Sequence, residues 1–292
     1  MSVRKGAALL LLVALGWGLT WPLNKALLES LSPFWLAALR AALAALTILA
    51  LVVPRGRLAL PPRSDLPVLL SITLLHMVGF VILANIGLQL VPVGRSVVLA
   101  YTTPLWVMPG AAWFLGERLT ARRIAGMALG MLGLGVLFNP FAFDWSDRNS
   151  ILGHAALLLA ALLWAASILH IRGHRWTATP FQLLPWETLL AAVLLFAVAL
   201  GFEPQLEVQW SARLVLLLVA TSTVGVVVPY WAAAAAGRAL SAGTVSLGVL
   251  GAPLVAILSA AALLGEVPGL SVWIAVACVL GGVALGTTER KR

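Results

Sequence analysis

Residues 104–117 read PLWVMPGAAWFLGE and residues 253–266 read PLVAILSAAALLGE, so a Pro-Leu start and a Leu-Gly-Glu end recur at the same spacing 149 positions apart. The register extends outward. Gly94 recurs as Gly243. Nearer the N-terminus, Trp17 precedes Pro33-Phe34 by sixteen residues, as Trp164 precedes Pro180-Phe181, an offset of 147. Two residues were gained across a whole half, so the chain is one unit written twice. If each copy crosses a bilayer an odd number of times, the copies lie in opposite orientations, which places a binding site at the midplane between them.

Composition supplies the bilayer. Of 292 residues 62% are hydrophobic and 10% charged, with a mean hydropathy of +1.04, against roughly 25% charged in a soluble domain. Apolar stretches of about 20 residues, enough to cross a core of about 30 Å, lie at 7–26, 34–53, 66–86, 93–115, 123–141, 151–171, 181–200, 213–235, 243–264 and 271–288. The expectation is an all-α polytopic membrane protein of ten spans, five per copy. Repeats at 1–141 and 151–292 are joined by a periplasmic linker, 142–150, and surround a central cavity.

The net charge of +9 does not indicate nucleic acid, because the basic residues are scattered between spans. Fourteen of the 19 Lys and Arg fall on the side of the N-terminus and four on the other, with Arg40 inside a span. That bias predicts cytoplasmic termini for a multi-pass protein. The Glu117 loop carries three arginines whereas Gly265 to Gly269 carries none, as opposite orientation requires. The first apolar stretch is longer than a signal-peptide core and contains Trp17 and Trp21, so it reads as a span. Cys278 is the only cysteine, which excludes an intramolecular disulfide.

Leu15-Gly16-Trp17-Gly18, Asn24-Lys25, Ser32-Pro33, Arg40 and the run from Pro104 to Gly116-Glu117-Arg118-Leu119-Thr120 together resemble the ten-span, EamA-type exporters of the drug/metabolite transporter superfamily. Within it the chain is most similar to bacterial amino acid exporters, including the aromatic type. The second copy departs from the first: Ala165-Ala166 follow Trp164, Glu187 stands at the Arg40 position and Pro268 at the Leu119 position. The resemblance implies a bacterial inner membrane, inverted halves, a central cavity, and peripheral fifth and tenth spans. Gly126, Gly130, Gly133 and Gly135 in one, and Gly281, Gly282 and Gly286 in the other, also offer surfaces for close helix contact.

Trp17, Trp21 and Asn24 share one helical face beside Pro22. Trp35, Trp145, Trp176, Trp210 and Trp273 sit near span ends and read as an interfacial belt. Trp17 and Trp164 are mid-span; each is either packing or cavity wall, and their repeat equivalence favours a wall suited to stacking. His76 in span 3, with Thr73 and Phe80 on its face, is either a neutral histidine bonded to a carbonyl or a pathway residue. Ser222 and Tyr230 are its weaker counterparts in span 8. Tyr101 and Ser246 add hydroxyls, although Ser246 can simply bond its own helix. Pro104 and Pro253 each free a carbonyl, for a polar cavity or within a packed kink. Arg40 and Glu187, one position in two copies, lie about 10 Å inside opposite span ends. They either lock helices or gate the two ends of a path.

The expected activity is export of small metabolites, amino acids including aromatic ones, by alternating access, facilitated rather than proton-coupled because only Glu187 supplies a deep carboxylate. A cationic-drug or nucleotide-sugar exporter of the same superfamily is the rival. Outside transport, a membrane scaffold or intramembrane enzyme remains. His170 and His174 are spaced to bind a metal but have no third ligand in the sequence, so no enzyme, metal or cofactor is expected. The partners expected are a small-molecule substrate and membrane lipid, with no nucleic acid, and a monomer is expected with an oligomer left open.

Overall fold

The repeated Gly-Glu pair is a helix stop. Gly116 and Gly265 have φ of 66° and 68°, a left-handed conformation that only glycine adopts without strain, and the next amide turns back to Ala111 O and Ala260 O respectively. The computed structural model describes residues 3–138, 145–237 and 249–287, and every regular element among them is helical. Seven of these helical stretches are long and apolar enough to cross a membrane. Two shorter apolar ones, Gly251–Leu264 and Leu270–Leu285, accompany them.

In the first copy α1 (Val3–Leu27) is followed by α2 (Pro33–Val52), whose start is set by Pro33 and by Ser32 accepting from Trp35 N. Next, α3 (Leu66–Ser71) runs into a π-helical stretch, π1 (Ile72–Phe80), and out through α4 (Val81–Leu90). A broken pair, α5 (Val93–Ala100) and α6 (Thr103–Leu115), and then α7 (Ala121–Phe138) complete the copy. Among the described residues the second copy follows the same order without a counterpart of α5, whose position falls outside them: α8 (Arg148–Gly173), α9 (Pro180–Phe202), α10 (Ala212–Ser222), π2 (Thr223–Val227), α11 (Val228–Gly237), α12 (Gly251–Leu264) and α13 (Leu270–Thr287). Both widened windings fall at equivalent places in their copies, and neither is visible in hydrophobic periodicity.

The copies interlock. Helix α1 packs against α11 and α12 of the second copy, α8 packs against α4, α6 and π1 of the first, and α2 lies along α9. The Gly16-Trp17-Gly18 run explains the first contact. A Cβ on Gly16 would sit 2.4 Å from Pro229 Cγ, and one on Gly18 would sit 2.8 Å from Ala252 O. The two glycines thus let α1 press onto its neighbours while Trp17 between them points elsewhere. Leu46, Leu216 and Leu258 are exposed at 63, 69 and 59%, as apolar residues facing hydrocarbon would be.

Pro104 does not kink a continuous helix; it opens α6 after the break at Tyr101-Thr102. The carbonyls left over are taken by hydroxyls, with Thr102 Oγ1 donating to Leu99 O at 2.6 Å and Thr103 Oγ1 to Ala100 O at 2.7 Å. Pro253 sits in the first turn of α12. Neither frees a carbonyl for the cavity described below.

Helices α7 and α13 pair on the periphery and touch the rest through α5 and α6. Their seam is backbone on backbone, since a Cβ on Gly282 would lie 2.4 Å from Gly126 O and 2.9 Å from Gly130 N. Gly282→Ala should therefore destabilise the pair by about 1–3 kcal/mol and lower the unfolding temperature in detergent. An unchanged midpoint would contradict so close a seam.

Candidate functional site

A cavity of about 440 Å³ lies between the copies, within the roughly 300–1,000 Å³ of small-molecule sites. One wall is α1, which contributes Trp17, Trp21, Asn24 and also Thr20, whose hydroxyl donates to Gly16 O at 2.7 Å. Equivalent α8 contributes Trp164 and Ile171.

The opposite walls come from the π-helical stretches. A π-helix closes i to i+5 hydrogen bonds, and the widened turn delivers Ile72, His76, Met77 and Phe80 to one surface. Thr73, expected on that surface, is turned away and fully buried with Oγ1 unpartnered. His76 stacks on Trp164 with centroids 5.2 Å apart and planes 3° from parallel. Phe80 and Tyr101 meet the same indole at 5.1 and 6.1 Å. In the second copy π2 and α11 present Gly225, Val226 and Tyr230, and Tyr230 meets Trp17 edge-on at 5.9 Å. Each copy's mid-span tryptophan thus pairs with the π-helical span of the other copy.

Arg40 and Glu187 both line this cavity, 9 and 5% exposed. Arg40 Nη2 donates to Thr221 O at 3.1 Å, tying α2 to α10. Ser222 does not reach the cavity; its hydroxyl donates to Leu218 O at 2.6 Å. Ser246 lies outside the described residues. Asn85 was not anticipated: it lines the cavity and its Nδ2 donates to Pro33 O at 3.2 Å. Its only signal was an amide within an apolar run. Among the belt tryptophans, Trp145 and Trp210 are 62 and 55% exposed, but Trp35 is buried, with Nε1 donating to Glu203 O, and Trp176 lines the cavity. His170 and His174 pair edge-on at 6.1 Å, and no group of three possible metal ligands occurs among the described residues.

Both ends of the cavity are held by carboxylates that cross between copies. At the end near residues 28–32, Glu266 accepts from Val93 N and Gly94 N at 3.0 and 3.4 Å, capping α5. Lys25 there donates to the carbonyls of Leu88, Gln89 and Val91, capping α4. At the end near residues 174–179, Asp65 is fully buried and accepts from Thr177 N, Ala178 N and His174 Nε2. Glu117, the equivalent of Glu266, pairs with Arg123 and with Arg172 of α8.

The EamA-like transporter family model matches residues 4–139 and again 151–288, the two copies read from the sequence. A riboflavin transporter of Rhizobium johnstonii is 36% identical over 46% of this chain and 42% of its own. A probable amino-acid metabolite efflux pump of Escherichia coli is 30% identical over 68 and 64%. A probable terminal-alkyne amino-acid exporter of Streptantibioticus cattleyicolor is 28% identical over 92 and 88%. A protein of known crystal structure aligns with a TM-score of 0.67 at 24% identity, over 97% of this chain and 96% of that one. It shares the fold.

Asp65→Ala should leave the buried Ala178 amide, the half-buried Thr177 amide and the His174 ring without their acceptor, at a cost of about 1–3 kcal/mol. Trypsin cleavage after Arg175 would report it. The variant in detergent should be cut on the order of ten-fold faster, and an unchanged rate would mean that Asp65 does not hold the loop.

Proposed function

The chain belongs to the EamA-like transporter family, and we propose on that premise that it exports amino acids, aromatic ones included, across a bacterial inner membrane. The observation that carries this reading is the aromatic cavity lined by equivalent elements of both copies, Trp17 with π2 and α11, Trp164 with π1. A site shared between inverted repeats is what alternating access by rocking requires. We place the termini in the cytoplasm, ten spans in the membrane, and the copies at 1–141 and 151–292 with the 142–150 linker outside. The Asp65 and Glu117 contacts then close the inner end of the path, and the Glu266 contacts close the outer end.

The lining favours zwitterions of mixed side chain. It offers ring faces for stacking, one cation and one carboxylate. Nucleotide sugars would need more cations for their phosphates, and a lone Glu187 is thin provision for proton-coupled drug exchange. A second reading, transport of a planar heterocycle, is favoured by the riboflavin transporter among the relatives and by the parallel His76–Trp164 stack.

Counterflow in proteoliposomes decides between them. Labelled tryptophan and leucine should exchange, while riboflavin, cationic dyes and nucleotide sugars should not. An imposed pH gradient should drive no accumulation. Trp164→Ala should weaken tryptophan exchange on the order of ten-fold with insertion intact. Exchange of riboflavin without amino acids would replace the first reading by the second. Cysteines placed at Arg118 and Val267 should label from opposite sides of the membrane; labelling from one side would remove the inverted arrangement.

A further inference from the structure

Two buried polar groups in the cavity are short of partners. A guanidinium carries five N–H donors. That of Arg40 uses one, toward Thr221 O, and its Nε is buried without an acceptor. Among the described residues no carboxylate pairs with it. Asn24, 7% exposed on the cavity face of α1, makes no side-chain hydrogen bond, and its Oδ1 is buried without a partner. Burying a cation and an amide in this state costs free energy unless a further group completes them.

Their placement is complementary. Asn24 stands three residues before the end of α1, and Arg40 seven after the start of α2, on the same side of the 28–32 turn. At 1.5 Å per residue their depths differ by on the order of 5 Å, and both line the same cavity. Asn85 holds Pro33 O and so fixes the start of α2 beside them. Glu187 also lines the cavity, but it enters from the other end of the antiparallel α9 and lies about 10 Å deeper than Arg40.

We propose that Arg40 and Asn24 form the head-group site for an α-amino acid, Arg40 donating to the carboxylate and Asn24 Oδ1 accepting from the ammonium. The substrate side chain then lies along the His76–Trp164 stack and points toward Glu187. This deepens the amino acid reading and rests on it. It assigns Arg40 and Asn24 contact with substrate instead of helix locking alone.

The test is competition against labelled tryptophan in proteoliposome counterflow, using tryptophan, tryptamine (no carboxylate) and indole-3-propionate (no ammonium). Wild type should prefer tryptophan to each analogue by about ten-fold or more, the size expected for a lost charge-assisted hydrogen bond. Arg40→Gln should bring the tryptophan-to-tryptamine ratio toward one, with Arg40→Lys retaining part of it. Asn24→Leu should do the same to the indole-3-propionate ratio. Tryptamine competing as well as tryptophan in wild type overturns the proposal, even if no Arg40 variant folds. So does an Arg40→Gln protein that weakens all three ligands equally, because a helix lock would behave that way. Absence of any amino acid exchange would instead sink the transport reading itself, whereas exchange with flat ratios sinks only the head-group site.

Discussion

In hydrocarbon, a backbone group that leaves the helical ladder finds no water, so every interruption of a spanning helix has to be completed by the protein. Among the described residues, the chain meets that condition at the interruptions that border the cavity. Where span 4 breaks at Tyr101-Thr102, the hydroxyls of Thr102 and Thr103 take the abandoned carbonyls. Where α4 ends, the Lys25 ammonium takes three of them, and the opening turn of α5 is capped by Glu266 from the other copy. Between α3 and α4, and again between α10 and α11, the ladder widens to a π winding instead of breaking, which keeps the bonds and rotates side chains inward.

Several of these completions cross between copies, so local backbone chemistry and global assembly are the same event. Asp65 reaches from the foot of α3 to two amides and a histidine of the 174–179 turn. Its structural counterpart before α10, Ser211, does something smaller and accepts from Leu214 N of its own helix. Glu266 caps a helix of the first copy while Glu117 pairs with arginines. Arg40 and Glu187 put opposite charges at one repeat position. A duplicated frame has thereby acquired two chemically different ends, which a transporter needs if each end is to close under its own conditions.

Much of the site was legible residue by residue. Trp17, Trp21 and Asn24 stand out because aromatic and amide groups share one helical face, and His76 and Trp164 because polar or bulky groups lie mid-span. Thr73 was misplaced for two reasons. Position along a span does not specify rotation about its axis, and the π winding of Ile72–Phe80 changes that rotation without altering composition. Asn85 was passed over because an isolated amide has no pattern until its partner, Pro33 O, is known.

Duplication and helical class are written in the chain itself, because period and hydropathy are local properties. Which groups face the cavity, the stacking of Trp164 on His76, the meeting of Trp17 with Tyr230 across the copies and the unfilled donors of Arg40 all emerge from packing. Those depend on how helices distant in sequence rotate against one another, which is set by close contacts such as Gly16 on Pro229 and Gly18 on Ala252. Such contacts are properties of pairs of surfaces, and no single segment contains them.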